Sequence, residues 1–275
     1  MAVVIQGAAR QALAELRERL TDALDRAGVD AVAVGEELFG VLHFLAREHV
    51  VRRTLSDASV RPERKAQLAR RLFSGQTSGV TSDIVEALVR ARWSSPTTML
   101  DCLEVLAVES EVVAADRAGS TDDFEDELFR FGRIVDGRPA LRSALSDRAV
   151  PADRKRELVE TLLRDKASPS TLRLVVEAVT SPRNRTLQDT LEYYLQIAAD
   201  HERRLVATVR AAVPLTEAER DRLAAALRRQ YERDVRLNVE IDPAVIGGMS
   251  VVVGSDLIEG TLARRIDEVR RRLAG

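Results

Sequence analysis

Residues 55–72 read LSDASVRPERKAQLARRL, and residues 145–162 read LSDRAVPADRKRELVETL. Eight of these eighteen positions are identical at an offset of 90, where composition alone gives about one or two. The match reaches back to Glu37-Leu38-Phe39 against Glu127-Leu128-Phe129. With small gaps it reaches forward to Glu86-Ala87 against Glu177-Ala178 and to Leu103-Glu104 against Leu191-Glu192. Such a period is longer than the roughly 20–50 residues of solenoid repeats and suits a duplicated small domain.

Both copies carry the apolar spacing of amphipathic helices. Leu13, Leu16, Leu20 and Leu24 share one face, Leu38, Leu42 and Leu45 another, and Leu68 pairs with Leu72. Ile84 with Leu88, then Leu100, Leu103 and Leu106, continue the series. Leu158 with Leu162, Leu172 with Val176, and Leu187, Leu191 and Leu195 repeat it in the second copy. Pro62 and Pro151 stand near helix starts, where a missing N–H costs little. These patterns predict a helical bundle over 1–120 and a second over 121–204.

Beyond residue 204 the period shortens to two. Leu205, Ala207, Val209 and Ala211 predict one strand, and Val235, Leu237, Val239 and Ile241 alternate with polar residues in a second. Thr216 and Glu219 have the spacing of a capping box, opening a helix to about Glu232. Met249–Val253 reads as a third strand, Gly254-Ser255 as a tight turn into Asp256-Leu257-Ile258, and Leu262–Leu273 as a last helix. The fold class is therefore mainly α with a small α+β part: two tandem helical bundles, then a small C-terminal α/β domain over 205–275.

The chemistry-bearing residues are sparse. The chain of 275 residues has 42 basic and 44 acidic side chains, a balance unlike that of nucleic-acid binders, and its Arg pairs are interleaved with acids and few aromatics. Only Lys65, Lys155 and Lys166 among the cations are lysines. No apolar run approaches the roughly 18–20 residues of a membrane span, and no secretory leader is evident at the N-terminus, so a cytosolic location is expected. His43, His49 and His201 lack metal-ligand spacing, and Cys102, alone in the chain, reads as a packed thiol. Asp242, Asp256 and Glu259 near the last hairpin suggest an acid–base group at most, with turn formation the simpler account. Gly247-Gly248 belongs to no phosphate-binding pattern and suits a turn or bulge. No cofactor is called for. On the residues alone the chain reads as an interaction protein, with a generic cytosolic helical adaptor and an acid–base enzyme as the competing classes.

The tail carries more. Residues 235–273, VRLNVEIDPAVIGGMSVVVGSDLIEGTLARRIDEVRRRL, resemble the closing segment of the delta subunit of bacterial F-type ATP synthases, a relative of the mitochondrial oligomycin-sensitivity-conferring protein. Asp242, Ile246, Gly247, Gly248, Gly254 and Gly260 match that family's pattern in order and spacing, and Val213-Pro214-Leu215-Thr216 resembles its entry to the preceding helix. The chain departs from the pattern at Glu259 and Thr261, where Asp and Ser are usual, and lacks the Tyr-Ala that opens the family's first helix near Ala8-Ala9-Arg10. It is also longer by about one helical domain, which the repeat explains. The resemblance implies a non-catalytic stator subunit without nucleotide or proton chemistry. It implies alpha subunits of the catalytic ring as partners of the helical part and the b subunit of the peripheral stalk as partner of the C-terminal part. Location follows as the cytoplasmic side of a bacterial cell membrane, held there through partners.

Overall fold

The computed structural model describes residues 7–183, 185–202, 205–231, 235–242, 249–253 and 256–259. In it the repeat resolves into paired helices. The first copy holds α1 (Ala8–Leu24), α2 (Ala31–Arg47), α3 (His49–Ser56), α4 (Pro62–Phe73), α5 (Gly79–Arg90) and α6 (Pro96–Arg117). The second continues with α7 (Thr121–Asp136), α8 (Pro139–Ser146), α9 (Ala152–Leu163), α10 (Pro169–Thr180) and α11 (Leu187–Glu202). α2 to α5 and α7 to α10 begin at positions 31, 49, 62 and 79 and again at 121, 139, 152 and 169, always 90 apart.

The quoted stretch repeats because each of its fixed residues has a physical task. Leu55 and Leu145 are fully buried. Asp57 and Asp147 each accept the backbone N–H two residues on, from Ser59 and Ala149 at 2.8 Å, closing the turn into the next helix. Lys65 and Lys155 are buried, and the Lys65 ammonium donates to the Ala91 carbonyl at the end of α5. Glu37 and Glu127 accept from Ser78 N–H (2.9 Å) and Ser168 N–H (2.8 Å), placing a carboxylate at the N-terminus of α5 and of α10, where the helix dipole favours it.

The forward matches are out of step with these helices. Ser78 caps α5 and Ser168 caps α10 in the same way, so Glu86 corresponds to Val176 rather than to Glu177. α6 is capped by Ser95, which accepts from Thr98 N–H, and α11 starts at Thr186, which accepts from Asp189 N–H. Leu100, not Leu103, is therefore the counterpart of Leu191.

α6 holds two positions at once. It closes the first copy as α11 closes the second, and it opens the second copy as α1 opens the first. Its residues from Leu103 to Val112 are buried without a break, the mark of a helix packed on every side. One core accordingly runs through both copies, from Ala9 to Ala198.

The chain divides into two compact units, Met1–Ala199 and Asp200–Gly275. The second unit holds β1 (Leu205–Ala211), α12 (Glu217–Tyr231), β2 (Val235–Ile241), β3 (Met249–Val253) and β4 (Asp256–Glu259), in sheet order β2-β1-β3-β4. β1 and β2 are parallel, with Leu205 opposite Val235 and Ala211 opposite Ile241, so α12 is the crossover that parallel strands require. β3 lies antiparallel to β1 and to β4, with Val253 opposite Asp256 in the second pair. Val209, Leu227 and Val251 form the core, with Leu215, Leu223, Val235, Leu237, Val239 and Met249 packed against them. The capping box is present: Thr216 N–H donates to Glu219 (2.9 Å) and Glu219 N–H to the Thr216 hydroxyl (3.3 Å). The last helix expected over 262–273 lies outside the described residues.

Candidate functional site: an ion-paired central helix and two unequal helix faces

α6 carries four acids through the core, and each meets an arginine from another helix or loop. Arg183 donates to Asp101 (2.8 Å) and to Glu104 (2.6 Å), while Arg185 and the Tyr194 hydroxyl (3.3 Å) also reach Glu104. Arg185 stacks its guanidinium 4.5 Å above the Tyr193 ring. Glu109 pairs with Arg17 of α1 at 2.7 Å, and Glu111 takes a two-pronged grip from Arg173 of α10 at 2.8 and 2.9 Å. At the C-terminal end Arg117 donates to the carbonyls of Leu24, the last residue of α1, and of Val29 in the α1–α2 connection.

These groups are electrostatically costly alone and compensated together. Glu104, Glu109 and Glu111 are buried, and removing one member of such a pair costs about 3–5 kcal/mol because the other charge stays buried. Burial pushes the Asp101 carboxyl above its ordinary range, with Arg183 pulling the other way; burial raises Glu111 likewise, against the hydrogen bonds of Arg173. Burial also pushes the Cys102 thiol up to about 12, which leaves it a protonated, packed group at neutral pH.

Sequence reading missed this network. Arg17, Arg173, Arg183 and Arg185 are spread over 169 positions of chain, and nothing in their local pattern separates them from solvated arginines. A different pair of buried cations was legible: in a chain where arginine has almost displaced lysine, Lys65 and Lys155 stand at equivalent positions and are both buried. Burial lowers the Lys65 pKa, and an ammonium fits such a place where the larger, permanently charged guanidinium does not.

The residues singled out from sequence fall as follows. His43 of α2 hydrogen-bonds Glu177 (2.7 Å) and Ser181 (3.0 Å), so it ties the first copy to the second. His49 contacts Arg52 on the surface. Among the described residues no three His, Cys, Asp or Glu side chains are placed to hold a metal ion, and no helix is long and apolar enough to cross a membrane. Asp242 follows β2 and donates its N–H to the Ala211 carbonyl. Asp256 and Glu259 lie at the ends of β4, on the opposite edge of the sheet, with β1 and β3 between. At about 4.8 Å per strand that ordering places the backbones roughly 14 Å apart, so the three acids do not form the cluster their sequence proximity suggested. Ile246, Gly247, Gly248, Gly254 and Gly260 lie outside the described residues.

Among the described residues, the exposed large apolar side chains are Phe44, Val50, Phe129, Ile134, Val213 and Ile241. Phe129 is the informative one. Its counterpart Phe39 is 8% exposed, whereas Phe129 is 58% exposed.

The family model for the ATP synthase delta (OSCP) subunit matches residues 108–273. The chain belongs to that family. It is thus a peripheral-stalk subunit of an F-type ATP synthase. The ATP synthase subunit delta of Streptomyces griseus is 47% identical over 271 residues, covering 98% of this chain and 100% of the relative. That of Thermobifida fusca is 47% identical with the same coverage, and that of Acidothermus cellulolyticus 45% over 273 residues. The family match begins inside α6, yet these relatives align over nearly the whole chain, so they too have sequence matching the first copy. A chain of the mitochondrial ATP synthase hexamer of Toxoplasma gondii covers 61% of this chain at 16% identity and a TM-score of 0.27, too low a likeness to bear on the fold.

Proposed function

We propose that this protein is a non-catalytic stator: its helical unit holds alpha subunits of the catalytic ring, its C-terminal unit holds the b subunit of the peripheral stalk, and together they keep the ring still while proton flow drives ATP synthesis. The observation that carries the reading is the full-length match to delta subunits, joined to a molecule of two separate compact units. A rigid link needs two grips and a stiff body between, and α6 with its paired acids supplies the stiffness of the helical part. The protein is held on the cytoplasmic side of the cell membrane through its partners alone. Asp242, Ile246, Gly247, Gly248, Gly254 and Gly260 carry the family's signature and take no part in chemistry. The first helical copy is a duplicate of the family's own helical domain.

Removing residues 205–275 tests this. The truncated chain is expected to leave ATP hydrolysis by the ring intact, because hydrolysis needs no stator, while proton-driven synthesis on the same membranes is lost. Synthesis that survives, or hydrolysis that disappears with it, contradicts the stator reading. A wash at low ionic strength without divalent metal is expected to release the full chain together with the ring. Retention through every detergent-free wash contradicts attachment through partners.

A further inference from the structure

The second helices of the two copies, α2 and α7, carry equivalent residues in unlike surroundings. Phe39 corresponds to Phe129, Glu36 to Asp126 and His43 to Arg133. Along α2, Phe39 is buried and His43 half-buried while Glu36 stays exposed, and α10 reaches this face at His43. Phe39 stacks on His43 with ring centroids 6.5 Å apart, and His43 reaches Glu177 and Ser181. Nearer the start of α2, Glu36 and Asp30 act electrostatically on Arg173. α10 therefore lies along α2 in the same direction, with a cation toward the acids and, one turn on, a carboxylate toward the imidazole.

Along α7 the same face has no cover. Phe129, Asp126 and Arg133 are all exposed. Asp126 makes only a 3.5 Å exposed pair with Arg130, and Arg133 has no carboxylate partner among the described residues. The charge order, acid first and base one to two turns later, is that of α2. We infer that this face of α7 receives an amphipathic helix from another subunit of the synthase, one that carries a Lys or Arg and, four residues later, an Asp or Glu. The cation lies toward Asp126, the carboxylate pairs with Arg133, and the helix's apolar stripe covers Phe129. A second copy of this chain does not offer its α10 or its α5 in this way. Its α10 is already held by its own α2, and α5, the equivalent of α10, has Asp83 and Ala87 where α10 has Arg173 and Glu177.

The inference rests on the stalk role proposed above, and the test separates the two. The full-length chain with Phe129→p-benzoylphenylalanine is assembled onto membranes stripped of the native subunit, irradiated, and its adducts sequenced. The expected adduct is a helical segment of another subunit with the cation–carboxylate spacing. Adducts confined to residues 200–275 of the same chain or to a second copy overturn the inference. So does labelling no stronger than from the same probe at exposed Arg19. In parallel, Arg133→Glu and Phe129→Ser are each expected to weaken binding to the stripped membranes about tenfold, while Arg133→Lys stays within about threefold of the unaltered chain. Equal binding by all variants overturns the inference and spares the stalk role. Failure of the unaltered chain to bind overturns the stalk role itself.

Discussion

The first copy turns the outer face of its second helix onto the second copy, whereas the second copy leaves the same face of its own second helix uncovered. The difference begins at one small residue. A Cβ at Gly35 of α2 would stand 3.3 Å from Glu111 Oε1, 3.3 Å from Ser110 Cβ and 3.5 Å from the Ala107 carbonyl. Without that Cβ, α2 settles onto α6 closely enough for its outer face to meet α10. The equivalent residue in α7 is Glu125. A duplicated domain can thus be joined to its sister at one face while the same face of the sister is released for other contacts. Shared residues such as Glu37 and Glu127 preserve each bundle, and unshared ones such as Gly35 and Glu125 set what each bundle touches.

The sharpest way to break the comparison is through the junction acids. Glu104→Ala leaves Arg183 and Arg185 in the interior without their common carboxylate, and a loss of about 3–5 kcal/mol in unfolding free energy is expected. Glu86→Ala, which removes a pair whose arginine, Arg70, has a side chain 64% exposed, is expected to cost under about 1 kcal/mol. Urea denaturation of both variants checks the pair. Similar losses would mean that the junction is no more central than the surface.

Exchanging the second-helix residues sharpens it further. Gly35→Glu places a side chain and a charge against Glu111, with an expected cost of about 2–4 kcal/mol from overpacking and like-charge contact. Glu125→Gly introduces the backbone freedom of glycine in a helix, about 1 kcal/mol, together with the loss of the Glu125 side chain's own contacts. Calorimetric melting of the two variants is the measurement, and a larger effect at 125 than at 35 would reverse the assignment of the close contact.

How much of this could be read in advance depends on whether a residue's partner is near in sequence. Leu38, Leu68 and Val239 announce their elements because periodicity is local. The LSD turn, the Thr216–Glu219 box and the offset of 90 up to Ser168 were legible for the same reason. The double role of α6 was not, because a helix packed all round loses its periodic signature, and its acids look like solvent-facing residues until Arg173 and Arg183 arrive from 62 and 82 positions away. The acid group of Asp242, Asp256 and Glu259 failed for the converse reason. Residues close along the chain are set on opposite edges of the sheet by a parallel crossover and an antiparallel return. Of the six signature positions, Asp242 alone falls in the described residues, where its backbone extends the pairing of β1 and β2.

The two phenylalanines offer a gentler comparison. Phe39→Ala empties a buried site and is expected to cost about 3 kcal/mol or more. Phe129→Ala in the isolated chain is expected to change stability by under about 1 kcal/mol, since most of that ring is already in water. Urea midpoints for the two variants decide it. A destabilisation at 129 as large as at 39 would mean that part of this chain covers the α7 face.

The smallest expected effect is a slope with pH, and its sign differs between the junction and the surface. Asp101 and Glu111 are raised above 3.8 and 4.5, chiefly by burial. Between those values and the raised ones the folded chain holds protons that the unfolded chain has released. Stability from these groups is therefore complete below the ordinary values and declines as pH rises through the raised ones. Glu86 is lowered, chiefly by its hydrogen bond from Arg70, and Asp57 chiefly by the Ser59 backbone N–H. Their contribution is complete above the ordinary values and is lost as pH falls through the lowered ones. Asp101→Asn is accordingly expected to flatten the decline above pH 3.8, by at most about 1.4 kcal/mol per pH unit, while Glu86→Gln flattens only the acid side below 4.5. Unfolding free energies from pH 3 to 7 for the unaltered chain and both variants measure this directly. If Asp101→Asn flattens the acid side instead, Arg183 outweighs burial at the junction, and the buried pairs of α6 behave as surface pairs do.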